Sequence, residues 1–208
     1  MKPDYILFTD GSSITEPGKR MQYAAYAFLV INNHTKKSTK KADIIDSGDS
    51  ARTEAFAIYY GLKYLNSLVK TGTSKTVLVL SDSKYMISLI EKHLLRWYNG
   101  EKIRTKATDR LNADKAMFRN LAKIMSGNKL DITFVHVKAH LTIGARGELQ
   151  DRIKSAGYIV SKTTAANIIR FNRIVDKAAK TESKKLATAC GHYNPDGYIR
   201  LIEKDTDY

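Results

Sequence analysis

Apolar and polar positions fall into two periods along the chain, and the alternation between them predicts most elements. Tyr5-Ile6-Leu7-Phe8-Thr9 is an apolar, β-prone run that closes on Asp10 and then on Gly11-Ser12-Ser13, so it predicts a buried strand ended by a turn. Residues 16–20 read as a loop, residues 21–31 as a second strand, 32–34 as a turn, 36–41 as a basic solvated stretch, and 42–47 as a third strand of edge character. From Thr53 the period lengthens: Ala55, Ile58, Leu62, Leu65 and Val69 share one helical face. A strand over 76–80 then runs into Ser81-Asp82-Ser83, and a short helix starts near Lys84. A helix over 112–126 turns Ala116, Leu121 and Ile124 or Met125 inward, residues 132–137 form the last strand, and a helix over about 171–185 carries Ile174, Val175, Ala178 and Ala179 on its apolar side. Residues 142–170 read as a loop followed by helical pieces at 148–155 and 164–169; beyond Ala187 the tail is turn-rich and ends in a strand-like run over 198–202. Strands first, then strands alternating with helices, predict an α/β fold. Its central five-stranded mixed sheet is an antiparallel meander followed by parallel strands, flanked by helices.

Two of these strands end in aspartate. A carboxylate at the end of a buried strand is costly unless paired or bound to a metal. If the Asp10 and Asp82 strands are neighbours, two carboxylates converge at one sheet edge and repel unless a cation neutralises them. The plainer alternatives are an N-cap role for Asp82 ahead of the helix at Lys84, and a favourable dipole position for Glu54 in the first turn of its helix.

Composition narrows the partner. The 208 residues suit one domain with decoration, and 35 Lys+Arg against 21 Asp+Glu give a net charge of +14. That balance points to a polyanion such as nucleic acid, with solubility as the plainer reading. Cys190 is the single cysteine, which excludes an internal disulfide and fits a reducing compartment; no Cys/His cluster suggests zinc. The longest apolar run, 23–31, is too short to span a bilayer and no signal-type stretch follows Met1, so a soluble, intracellular (cytoplasmic) monomer is expected. Between residues 92 and 106, Lys92, Arg96, Lys102, Arg104 and Lys106 stand against Glu101, a net +4, with Trp97 among them. Basic side chains interleaved with aromatics suit a phosphate backbone with a stacking contact; the alternative is a solvated helix face with Trp97 as its core anchor.

Together these motifs resemble type 1 ribonuclease H. Thr9-Asp10-Gly11-Ser12 is similar to that family's first-strand motif and Arg52-Thr53-Glu54-Ala55 to its helix glutamate. Ser81-Asp82-Ser83-Lys84-Tyr85 is similar to its second aspartate, and 172–179 to the final-helix motif that carries Asp176. Val137-Lys138-Ala139-His140 resembles the segment ending in the family's mobile-loop histidine, and the stretch around Trp97, closing at Asn112, resembles the substrate-gripping handle of the bacterial branch. The resemblance covers most of 4–140 and then 172–185.

The resemblance implies that Asp10, Glu54, Asp82 and Asp176 hold two Mg²⁺ or Mn²⁺ ions, hard cations suited to an all-carboxylate set. It implies that His140 serves proton transfer or product release, and that Ser12, Ser50, Lys84, Lys92, Arg96, Trp97, Lys102, Arg104, Lys106 and Asn112 meet the nucleic acid. The expected activity is hydrolysis of the RNA strand of RNA·DNA hybrids, giving 5′-phosphate and 3′-hydroxyl ends. The alternatives are a DNA nuclease or junction resolvase on the same fold, or a non-catalytic nucleic-acid-binding module. Departures motivate the first alternative: Glu16 replaces the Asn before Pro-Gly, and Asp49-Ser50-Ala51 replaces a Thr-Asn-Asn type run, where Asp49 would repel a phosphate. Lys84 stands where the bacterial branch has a glutamine. His140 and Asp176 lie 36 positions apart, longer than in the family pattern, so an insertion of about 141–171 sits beside the site. It carries five cations against two carboxylates, which suits either a substrate-touching lid or a packed elaboration. The expected division is a domain over 1–186 and a C-terminal extension over 187–208.

Overall fold

The computed structural model describes residues 1–15, 22–138 and 142–190. Five strands form one mixed sheet: β1 (Tyr5–Thr15), β2 (Gln22–Asn32), β3 (Ser38–Ile45), β4 (Lys75–Ser81) and β5 (Leu130–His136), in the order β3-β2-β1-β4-β5. β1, β2 and β3 pair antiparallel as a meander, while β1–β4 and β4–β5 are parallel, as the pattern predicts.

The helices divide between the two faces. α1 (Ser50–Leu68) and α5 (Lys115–Ser126) lie over one face, where Leu7, Val77 and Val79 pack with Ile58, Leu62, Phe118 and Leu121. Over the other face lie α6 (Arg146–Ser155) and α7 (Lys162–Ala189), whose Leu149, Ile153, Ile168 and Val175 pack with Ile6, Phe8, Leu78 and Leu80. The strict alternation of Ile6 and Phe8 to one side and Leu7 to the other is what a strand covered on both faces requires. α2 (Lys84–Leu89), a π-turn at Ile90–Leu94 and α3 (Leu95–Tyr98) run on as one irregular helix, and α4 (Thr105–Ala113) brings the chain back.

Several expectations are corrected. β1 does not turn at Gly11 but runs on to Thr15, because β2 supplies backbone partners as far as Thr15↔Gln22. Most of the basic stretch before residue 42 belongs to β3, an edge strand whose exposed lysines guard against edge-to-edge pairing. The helix expected over 112–126 is two helices broken at Asp114, whose carboxylate accepts from the Arg52 guanidinium at 2.9 and 3.1 Å; Ala116 points to solvent, and Met117, Phe118, Leu121 and Ala122 are inward. The helical piece at 164–169 and the final helix are one 28-residue helix, started by the Ser161 cap and free of Gly and Pro, with Ile174 outward. The tail strand expected over 198–202 and the loop over 16–20 lie outside the described residues.

Candidate active site

β1 is longer than its parallel neighbour, and that mismatch builds the site. Pairing with β4 stops at Thr9↔Ser81, so Asp10, still hydrogen-bonded into β1–β2 opposite Ala27, has no β4 neighbour. Asp82 follows directly as the chain leaves the sheet. Ser83, not Asp82, caps α2, its hydroxyl accepting from the Met86 N–H at 3.3 Å, so Asp82 is not the helix cap. Glu54 lies in the second turn of α1, beyond the reach of the end-of-helix dipole argument; Asp49 is the cap there.

α1 comes close enough to deliver Glu54 because residue 11 is glycine: a Cβ there would stand 2.6 Å from the Glu54 nitrogen, closer than side chains tolerate. The Gly11 N–H donates to Glu54 Oε1 at 3.1 Å, while Glu54 Oε2 is buried without a hydrogen-bond partner. Carboxylate oxygens of Asp10, Glu54 and Asp82 lie within 4.8 Å of one another. Asp176 enters from α7 and lines the same cavity of about 190 Å³, its carboxylate held by Lys180 one turn on at 2.6 Å. Burial, then repulsion by Asp82 and Asp176, pushes the Asp10 carboxyl up to about 7; burial, then Asp10 and Asp82, pushes Glu54 well above its usual range. An orphaned buried oxygen and carboxyls too crowded to ionise together fit a hard divalent cation, with Asp10, Glu54 and Asp82 as its ligands and Asp176 at the rim.

The other candidate residues spread outward. Ser50 lines the cavity, and Ser12 sits on β1 with its hydroxyl 2.9 Å from that of Ser183 on α7. Lys84 is exposed beside Asp82. Lys92, Arg96, Lys102 and Arg104 line a separate cleft on the arm with His93, Ser88 and Ile103, and Lys106 is exposed on α4. Trp97 packs partly on the core, as the core-anchor reading expects, and its indole N–H donates to Asn112 at 3.2 Å, tying the arm to α4. Arg96 forms an exposed pair with Glu101 at 2.8 Å, which contributes little and leaves the arm cationic. His140 and Glu16 lie outside the described residues.

Asp49 departs from its expected role as a bare charge against phosphate. Its carboxylate accepts from the Arg52 N–H at 2.7 Å and from Arg110 at 2.9 Å. Partial burial raises its pKa, but the Arg52 amide and Arg110 outweigh this and hold it below the usual carboxylate range. Asn172, Arg173 and Lys180 also line the cavity; the sequence reading gives none of them a role, although the first two fall in the final-helix motif and all three, four before, three before and four after Asp176, share its helical face.

A model of the RNase H family matches residues 2–159. No curated protein sequence matches. Among solved structures, a foamy viral protease-reverse transcriptase in complex with RNA/DNA hybrid is similar over 88% of this chain and 20% of that one, at 17% identity and a TM-score of 0.57. The foamy viral protein in complex with dsDNA is similar over 88% of this chain and 96% of that one, at 16% and 0.56. The N-terminal RNase H domain of rv2228c from Mycobacterium tuberculosis, fused to maltose binding protein, is similar over 91% of this chain and 99% of that one, at 14% and 0.50. This chain therefore spans one fifth of the first of these structures, and at such identities the likeness concerns the fold.

Proposed function

Because the chain belongs to the RNase H family, whose members are hydrolases, we propose that it is a metal-dependent endonuclease that cuts the RNA strand of RNA·DNA hybrids and leaves 5′-phosphate and 3′-hydroxyl ends. The observation that carries this reading is the convergence of Asp10, Glu54, Asp82 and Asp176 on one cavity at the sheet edge. A protein that only binds nucleic acid gains nothing by concentrating negative charge against a phosphate. Two Mg²⁺ or Mn²⁺ ions, when bound, supply an activated water and neutralise charge on the scissile phosphate. The chain's own residues then do the positioning. The Gly11 N–H fixes one Glu54 oxygen, and the other is buried without a hydrogen-bond partner. Lys180 holds Asp176 at the rim and adds positive charge where the backbone of a substrate would pass. His140 is assigned proton transfer or product release, outside the carboxylate set. The basic arm from Lys92 to Lys106, with Trp97 and Asn112 at its root, grips the strand backbone away from the chemistry. One chain supplies all four carboxylates, which supports a monomer; α7 carries the domain past the expected boundary at 186 to Ala189, since Ala187 is buried beside Tyr23.

The pairing of Asp49 with Arg110 removes one of the two sequence arguments for a DNA substrate. The test is cleavage of an end-labelled hybrid, the matching DNA duplex and the matching RNA duplex in Mg²⁺. Cutting confined to the RNA strand of the hybrid is expected; preference for the DNA duplex contradicts the substrate while leaving the metal site in place.

A further inference from the structure

Within the segment before Asp176, α6 is packed into the protein: Leu149 and Ile153 are fully buried against the second face of the sheet, while Ile169 of α7 lines the carboxylate cavity. One polar chain nevertheless leads from α6 to the carboxylate site. Arg152 Nη1 donates to the His136 backbone carbonyl at 3.0 Å and lies 3.2 Å from His136 Nδ1. His136 Nε2 lies 3.1 Å from the backbone carbonyl of Asp82. That carbonyl can only accept, so Nε2 carries the proton and Nδ1 is the acceptor facing Arg152. The far end of Arg152 is held by Glu148 Oε1 at 2.8 Å, and the same oxygen takes Lys138 at 2.7 Å. Those two cations hold the Glu148 carboxyl below its usual range.

Asp82 needs such support because it stands just past the end of β4. Its predecessor Ser81 is the last residue paired across to β5, opposite His136. Beyond it, the Asp82 carbonyl accepts from the Lys84 N–H at 3.1 Å, two residues on, and meets His136 of β5. Arg152 in turn fixes the ring that makes this second contact: Nη1 serves both His136 acceptors while Nη2 is held by Glu148, so one planar guanidinium spans the two residues.

We infer that Arg152 and His136 are positioning residues for Asp82, and that α6 serves the reaction by locking the peptide that carries this carboxylate so that it stays aimed at the bound cation. This rests on the reading of Asp10, Glu54 and Asp82 as a cation site. Groups one bond removed from a ligand commonly change metal affinity by about 10- to 100-fold. Arg152 acts through His136 and a backbone carbonyl, so about 5- to 10-fold is expected.

The experiment is calorimetric titration of Mn²⁺ into the wild-type protein and into Arg152→Met, His136→Phe and His136→Gln, with thermal unfolding to establish that each is folded. Arg152 is partly exposed, and Arg152→Met leaves Leu149 and Ile153 in place, so α6 should stay docked. Arg152→Met and His136→Phe should weaken Mn²⁺ binding about 5- to 10-fold, whereas His136→Gln, whose amide can still donate to the Asp82 carbonyl, should stay within about 2-fold of wild type. In cleavage assays the Mn²⁺ needed for half-maximal rate should rise in the same proportion while the Michaelis constant for hybrid holds. Should Arg152→Met fail to fold, Glu148→Gln reads the same chain with a smaller shift in Mn²⁺ affinity. Wild-type Mn²⁺ affinity in the folded Arg152→Met and His136→Phe proteins overturns the inference alone. Equal weakening by His136→Gln and His136→Phe also overturns it, by assigning the effect to packing. A wild-type protein that binds no Mn²⁺ overturns the cation site itself.

Discussion

The cleft around Asp10 and the arm around Trp97 handle charge in opposite ways. In the cleft, like charges are buried together: Asp10 and Glu54 are each 5% exposed, and burial drives both carboxyls up, with Asp82 and Asp176 repelling Asp10 and with Asp10 and Asp82 repelling Glu54. On the arm, Lys92, Lys102, Arg104 and Lys106 are exposed and spread along irregular helix and loop, where water screens them. The cleft therefore costs the fold stability until a cation arrives, and the arm costs almost nothing. On the proposed function, the strained cleft carries the chemistry and the unstrained arm the affinity.

The sharpest way to break that contrast is Asp10→Asn. Turnover should fall by on the order of 10³-fold or more, measured at saturating hybrid. Stability should move the other way. With its folded pKa about 7 against an ordinary 3.8, Asp10 holds its proton more tightly in the folded state, so its contribution is lost as pH rises from about 4 to about 7. Metal-free Asp10→Asn protein should accordingly exceed wild type in unfolding free energy by about 1–3 kcal/mol at pH 7.5, with the gap closing near pH 4. Denaturant titrations in chelator at the two pH values check it, and added Mg²⁺ or Mn²⁺ should stabilise wild type more than the variant.

Neutralising Lys102, Arg104 and Lys106 together should weaken hybrid binding by about 10- to 100-fold at low salt and flatten its salt dependence by nearly one unit of slope per lost phosphate contact. Turnover at saturating substrate should hold. A loss of turnover with binding intact would place the arm in the chemistry and erase the contrast.

Smaller effects test the joint between the two regions. Asp49→Ala removes the α1 cap and the partner of Arg110, costing about 1 kcal/mol of stability by thermal unfolding without improving phosphate affinity. Trp97→Phe keeps an aromatic ring on the core but drops the bond to Asn112, and should cost about 0.5–1.5 kcal/mol.

The sheet and two of the carboxylates, Asp10 and Asp82, were legible in the sequence because each rests on a short-range signal, whereas Glu54 and Asp176 stood out only through the family resemblance. The apolar runs at 5–9, 76–80 and 132–137 end close to where the parallel pairing of β1, β4 and β5 ends, and Asp10 and Asp82 follow directly. Elements set by partners were not legible. Nothing local distinguishes Gly11-Ser12-Ser13 as strand rather than turn; β2 decides it, and α1 needs the bare Gly11 backbone. Asp49 reads as a free anion until Arg110, 61 residues away, is beside it. The break at Asp114 depends on Arg52, and the link from Arg152 to Asp82 crosses three elements. Lys180 and Asn172 were within reach, since helical spacing from Asp176 places them on its face.

The division of labour is tested most directly by equilibrium binding of an end-labelled RNA·DNA hybrid to Asp10→Asn protein, with cleavage read from the same samples. Removing a negative charge from the cleft while leaving the arm intact should leave affinity equal to or tighter than that of wild type in chelator, with RNA cleavage reduced by at least about 10³-fold in Mg²⁺. Affinity that falls in step with turnover, or cleavage that persists, would contradict a cleft built for metal-assisted chemistry beside an arm built for grip.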